Sequence, residues 1–281
     1  MIVVVAAAIV TGVGMGGSPF WSGSQPSPSE VIAEAGPNTL RAGSSRISVE
    51  LEVADAADAS DPSGYRIEGV MDYRRNFGRF IVDVGRLGVP VTVPTVEMVK
   101  GLSALYVRLP EAGSSPRSER WLVVTSQELS EWRGLDSLDE TLAAAVYAAV
   151  TGLGAMNEML QAPLEDLATD IADSGKESLR GEETHRYNLT LDSNLMTASI
   201  LPELGGTVEA GTADVWVDGR GRARQIRWSF DVSLTHDGLS SRAARATQTM
   251  EFSDFGVPVE VEEPPAEDVV SLAEFSTQPS Y

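Results

Sequence analysis

The chain has 281 residues, is 42% hydrophobic and 22% charged, and carries 41 acidic against 21 basic residues for a formal net charge of -20, with no cysteine. That content supports a folded core, and the missing cysteines exclude disulfides, thiolate metal sites and thiol nucleophiles. A surface this acidic repels nucleic-acid phosphates and anionic lipid head groups, so nucleic acid is not an expected partner.

Residues 1–17, MIVVVAAAIVTGVGMGG, are apolar and uncharged. The run suits a signal or anchor-like segment better than a full span, which needs roughly 20 residues. The usual positive flank before such a run is missing. Residues 18–30, SPFWSGSQPSPSE, read as a Ser/Pro/Gly linker. An apolar run followed by a tether predicts export, with the protein anchored by this segment or secreted.

The stretch 29–43 predicts helix, with Ser29 as a cap, Gly43 as a stop and Pro37 as a kink or break. Strands follow. RISVELEV alternates Ile47, Val49, Leu51 and Val53 against Ser48, Glu50 and Glu52, and YRIEGVMDY and GRFIVDV turn Tyr65, Ile67, Met71, Tyr73, Phe80, Val82 and Val84 to one side. ALYVRLP and RWLVVTS continue the pattern. Residues 136–175 predict a helical section divided by Pro163, with no charge from 141 to 156, and a helix apolar nearly all round must be surrounded. Strands resume at THRYNLTLD, a short helix is expected over SNLMTASILPELGG, and DVWVD and ARQIRWSFDVSL form a hairpin about Gly219-Arg220-Gly221. A last strand follows in RAARATQTMEFSDFG. The end of the chain, with eight acidic and no basic residues from 251 on, reads as partly extended and solvated.

Neither half has a core of its own, so the economical arrangement is a single α+β domain over residues 31–265, followed by an acidic tail, 266–281. In it a strongly curved antiparallel half-barrel sheet wraps around central helices.

Three motifs occur in order in the second half. They are Gly181, Thr184 and Tyr187 in G-x-x-T-x-x-Y; Val215, Trp216, Val217, Asp218 and Gly221 in V-W-V-D-x-x-G; and Phe252, Phe255, Gly256, Pro258 and Val259 in F-x-x-F-G-x-P-V. With them the chain resembles the LppX/LprG-type envelope lipoproteins of mycobacteria and other actinobacteria, which are related to the LolA/LolB carrier fold. The resemblance runs from about residue 29 to 265 and is diffuse before residue 178. It implies a half-barrel around a helical plug and a hydrophobic cavity for an acylated lipid or lipoglycan in transit. A membrane or envelope transport protein is then a further partner, and the protein is a monomer. The family pattern has a lipobox cysteine after the apolar segment; this sequence has VGMGGS there, so it is not lipidated.

Strand parity and helix position give the candidate lining: Ile67, Met71, Phe80, Val82, Leu142, Val146, Val150, Leu153, Met156, Met159, Leu189, Val215, Val217, Ile226, Trp228 and Phe230. Alanines and glycines between 143 and 155 leave space, and the methionines adapt to a guest. Burying a 16-carbon chain gains roughly 12 kcal/mol over water, at about 0.8 kcal/mol per CH₂, yet almost nothing over a bilayer, so such a pocket can load and unload. The competing reading is an envelope interaction or sensor module whose core is filled by its large liners. His185 and His236 lack zinc spacing, no serine has a nucleophile-elbow context, and Asp218 beside Gly219 is turn chemistry. No cofactor, metal or enzymatic activity is therefore expected.

Overall fold

The computed structural model describes residues 26–55, 62–86, 95–108, 120–125, 128, 140–161, 164–200, 206–236, 240–272 and 274. The apolar segment 1–17 and residues 18–25 of the linker lie outside the described residues.

Helix α1 (Pro28–Arg41) is closed at its start by a capping box. Ser27 Oγ accepts from the Glu30 N–H at 3.3 Å, and the Glu30 carboxylate accepts from the Ser27 N–H at 2.8 Å. The cap is thus Ser27 rather than Ser29, because Pro28, which has no N–H to satisfy, serves as the first helical residue. The helix continues through Pro37 as one piece and buries Ile32, Ala35, Gly36 and Thr39, a stripe at helical spacing.

Six strands follow: β1 (Ser44–Asp55), β2 (Ser63–Asp72), β3 (Phe77–Asp83), β4 (Thr95–Lys100), β5 (Ala104–Arg108) and β6 (Trp121–Thr125). Each pairs antiparallel with the next. Helix α2 (Glu140–Gln161) and a 3-10 turn (Leu164–Leu167) then lead to β7 (Ala168–Leu179) and β8 (Glu182–Leu191). After helix α3 (Ser193–Ile200) come β9 (Gly206–Asp218), β10 (Ala223–His236) and β11 (Ser240–Ser253). A second 3-10 turn (Ala266–Asp268) precedes β12 (Val269–Ser271).

The twelve strands form one sheet in the order β12-β6-β5-β4-β3-β2-β1-β11-β10-β9-β8-β7. The chain walks outward from β1 to β6, passes through α2 to β7 at the opposite edge, and walks back until β11 seats antiparallel against β1. The connection through α2 must therefore cross a face of the sheet. At about 1.5 Å per residue its 22 residues extend roughly 33 Å. It packs against β1, β2, β3 and β5, while α1 packs against α2, β7 and β10. The core lies on this helix-covered side. One cluster joins Ile47, Val49, Ile67, Phe80 and Trp228 of the sheet to Ile32 of α1 and to Ala145, Ala149, Leu153 and Met156 of α2.

Two stretches differ from the sequence reading. The helical section ends at Gln161 rather than 175, since 168–179 pairs along β8 as the edge strand β7. That strand carries register shifts at Ala168/Asp170 and Asp173/Gly175, and an edge with one wet side needs few apolar residues, so its sequence lacks strand alternation. The stretch read as a solvated tail includes β12, which pairs parallel with β6 and buries Val270 and Leu272. Just before it, Val259 and Val261 cover a second small core on the other face, with Phe77, Val99 and Trp121.

Candidate functional site

Thirteen of the sixteen sequence-derived liners come together. Ile67, Met71, Phe80, Val82, Val146, Leu153, Met156, Leu189, Val215, Val217, Ile226, Trp228 and Phe230 are all buried in the one cluster between the sheet and the helices. Leu142, Val150 and Met159 belong to α2, but their side chains lie outside the described residues. Reading by parity missed Ile32 and Ala35 of α1, which join the same cluster. Their signal was present as a spacing of three and four residues across VIAEAGPNT, hidden by the expectation that Pro37 would break the helix.

The cover is unusual in being small. The described side of α2 facing the core presents Ala145, Ala148, Ala149 and Gly152 as often as it presents Val146, Leu153, Met156 and Leu160. A Cβ on Gly152 would stand 2.7 Å from Ile67 Cδ1 and 3.2 Å from a Tyr65 ring carbon, so the helix backbone comes close to β2 there. The aromatic bulk comes from the sheet, where Trp228, Phe80 and Phe252 are almost completely buried with Met71 and Met98, while α2 adds Met156 and Leu160 and α1 adds Ile32.

The helix-covered face is not wholly apolar. Trp228 is 0% exposed and stacks on Phe230 with ring centroids 6.0 Å apart, yet its Nε1 has no hydrogen-bond partner. Among the described residues the other buried orphan is Glu165 Oε2. Thr39 is fully satisfied: its Oγ1 donates to the Ala35 carbonyl at 2.9 Å and accepts from the Ala223 N–H at 2.9 Å, tying α1 to the start of β10.

A pocket of about 440 Å³ opens where the C-terminal ends of α1 and α2 meet the β2–β3 turn, lined by Leu40, Tyr73, Arg74, Asn76 and Gln161. Burial pushes the Tyr73 hydroxyl up to about 12 although Ser45 shares a 2.6 Å hydrogen bond with it. Behind Asn76, Lys100 donates to its Oδ1 at 2.7 Å, and burial pulls the ammonium down to about 8. Of the pocket residues only Tyr73 was read from sequence as inward-facing; Leu40, Arg74, Asn76 and Gln161 were not singled out. The available signal was the polar turn DYRRNFG, whose Asn76 takes a left-handed φ of 51°.

The motif residues do other work. Thr184 Oγ1 donates to the Glu177 carbonyl at 2.9 Å. Trp216 faces away from the helices, donating Nε1 to Glu177 Oε2 at 3.1 Å with Arg186 over its ring. The Asp218 carboxylate accepts from the backbone N–H groups of Arg220 and Arg222 and from the Arg222 guanidinium. Arg222 in turn lies 4.0 Å from the Phe255 ring centroid. Gly181, Gly221 and Gly256 have φ of 85°, 73° and 79°, conformations that favour glycine. These motifs therefore specify turns and strand ends, and also send Tyr187, Val215, Val217 and Phe252 into the core.

No group of residues able to hold a metal ion occurs among the described residues. No described helix is long and apolar enough to cross a membrane.

No family model matches the sequence, and no curated protein matches it. Among solved structures the chain is similar to the Mycobacterium tuberculosis lipoprotein LppX, with a TM-score of 0.49 and 16% identity over 85% of this chain and 100% of that one. It is similar to LprF from Mycobacterium bovis, with a TM-score of 0.42 and 14% identity over 84% and 96% of the two chains. It is also similar to a LolA superfamily protein from Nitrosomonas europaea, with a TM-score of 0.26 and 13% identity over 86% and 97%.

Proposed function

We propose that this protein binds an acylated lipid or lipoglycan between the helix-covered face of its sheet and α2, and acts as a carrier in lipid transport through a cell envelope. The observation that carries the reading is the mismatch between cover and sheet. A broad face with large aromatic and aliphatic side chains is closed by a helix half of whose described core-facing positions are Ala or Gly. Each alanine brings a single methyl group, whereas an acyl chain of about 16 carbons brings roughly 12 kcal/mol of gross burial relative to water, so lipid is a stronger partner for this face than the helix is. The sheet then acts as a half-barrel and α2 as its plug. The pocket beside Gln161 and Leu40 marks the edge where plug and sheet part.

In this reading residues 1–17 direct export, and residues 18–30 tether the folded domain in the envelope or are carried with the secreted protein. The folded domain is a monomer, it has no catalytic role, and it delivers its lipid to a membrane or an envelope transport protein.

Native mass spectrometry with organic extraction, on protein purified from an actinobacterial host, tests the proposal. A stoichiometric diacyl or triacyl lipid is expected, and its mass names the class. Lipid-free protein that also fails to take up a fluorescent fatty acid would refute it. One observation favours the second reading, an interaction module with a filled core. The sequence-derived liners pack against one another, and the 440 Å³ pocket lies beside them rather than among them. The lipid-free outcome selects that reading.

A further inference from the structure

The orphan indole of Trp228 has a polar neighbour. Residues directly opposite on paired strands share a face, and Trp228 on β10 stands opposite Gln248 on β11 and Ala213 on β9. Gln248 is only 7% exposed. The next inward position on β10 is Phe230, which stands opposite Ala246. A row that is otherwise largely apolar, running Tyr65, Leu51, Gln248, Trp228, Ala213 and Leu189 across five strand pairings, thus holds the unpaired Trp228 indole N–H and the Gln248 amide side by side at its centre.

A buried donor left unpaired costs roughly 1–3 kcal/mol, and replacing both polar groups by apolar ones would remove the cost. Alanine and phenylalanine fill the adjacent inward positions, so the fold itself does not require polarity here. What two donors inside an apolar face can do is read the one polar group that an acyl chain carries into such a site. That group is its ester carbonyl, an acceptor with two lone pairs.

We propose that Trp228 Nε1 and the Gln248 amide donate to the ester carbonyl of the bound lipid, making the site selective for acyl esters over alkyl ethers of the same length. This deepens the carrier reading and rests on it. The acyl chain would run along the small side chains of α2, with its carbonyl placed over β10 and β11. The donors fix its depth.

The test loads the full chain from an equimolar mixture of dihexadecanoyl phosphatidylcholine and its diether counterpart, dihexadecyl phosphatidylcholine, which differ only in the carbonyls. Native mass spectrometry reads the ratio retained. Wild type is expected to enrich the diester roughly tenfold, the worth of one or two buried hydrogen bonds. Trp228→Phe, which keeps the aromatic body and removes the N–H, is expected to bring the retained ratio near one, and Gln248→Leu to fall between. Equal uptake of both lipids by wild type, or a preference that survives Trp228→Phe, overturns the proposal and leaves the carrier reading standing. Uptake of neither lipid overturns both. Should Trp228→Phe fail to fold, the ¹⁵N-indole resonances of wild type decide. A buried indole proton must move downfield with the diester and stay in place with the diether, and no movement with either overturns the proposal.

Discussion

Two glycines in neighbouring helices should respond to the same substitution with opposite signs. Gly36 of α1 lies against the backbone of α2, where an added Cβ would stand 2.5 Å from the Leu160 carbonyl oxygen and 3.1 Å from its carbonyl carbon and Cα. An ordinary contact begins near 3.4 Å, so the two helices must separate by about 0.9 Å. Neither partner is a flexible side-chain tip that can swing away. A gap of that size forfeits about a quarter to a half of the dispersion energy between the surfaces it parts, and overpacking of this kind typically costs about 1–3 kcal/mol. Alanine returns about 1 kcal/mol through helix propensity. Gly36→Ala should therefore lose up to about 2 kcal/mol. Gly154, in α2, is exposed with nothing within 4 Å of its added Cβ. Gly154→Ala should keep the propensity gain and add about 0.5–1 kcal/mol. Urea unfolding followed by circular dichroism, with m-values compared, gives both numbers. A Gly36→Ala protein at least as stable as wild type, or the two variants shifting in the same direction, would refute the claim that α1 and α2 touch backbone to backbone at this point.

Thr39→Val keeps shape but leaves the buried Ala223 N–H without its acceptor, and should cost about 1–3 kcal/mol by the same assay. Glu97 sits between Arg79 and Arg108 on β3 and β5; burial pushes its carboxyl up, but hydrogen bonds and charge from Arg108 and Arg79 outweigh this and leave it below 4.5. A depressed folded value contributes stability above the unfolded value and loses it as pH falls through the folded one. Glu97→Gln should thus cost about 1.5–3 kcal/mol near neutrality, and the difference from wild type should shrink as the pH drops below about 4.5, in unfolding titrations. Lys100 has the opposite sign. Burial lowers its ammonium from 10.5 to about 8, so the charged form weighs against the fold at neutral pH, and stability from this group rises between pH 8 and 10.5. In unfolding curves across that range, the stability of Lys100→Met relative to wild type should decline as the pH rises.

The strands were legible because one face is buried and the other is wet, so RISVELEV and QIRWSFDV announce both their conformation and their inward residues. Of the thirteen buried candidates the ten on strands followed from parity, and Val146, Leu153 and Met156 from their place in the uncharged helix. The pairing of β1 with β11 was not legible, since nothing local joins residues 44–55 to 244–253. Nor was β12, a three-residue strand that forms by lying beside β6 rather than by its own pattern. The edge strand β7 was misread as helix because its acidic, alanine-containing sequence satisfies one neighbour and solvent, leaving Ile171 almost alone to mark the inward side. The polar pair Trp228 and Gln248 could not be found from sequence at all. Its meaning depends on two residues twenty positions apart being opposite one another, and on Trp228 Nε1 finding no partner.

The seam between β1 and β11 has a consequence for the growing chain. Strands β1 to β6 each close onto the strand before them by short-range pairing, and so do β7 to β11, so each half assembles from local contacts. The outer edge of β1 stays open until nearly two hundred further residues have been made. Through that interval it is a bare row of N–H and C=O groups, the sort of edge on which chains aggregate. The residues on its solvent side are Ser48, Glu50 and Glu52, and Arg86 later reaches both glutamates. Two carboxylates along an unpaired edge repel a second copy of the same strand. The acidic face of β1 thus guards the half-made protein, and the same strand becomes the middle of the finished sheet.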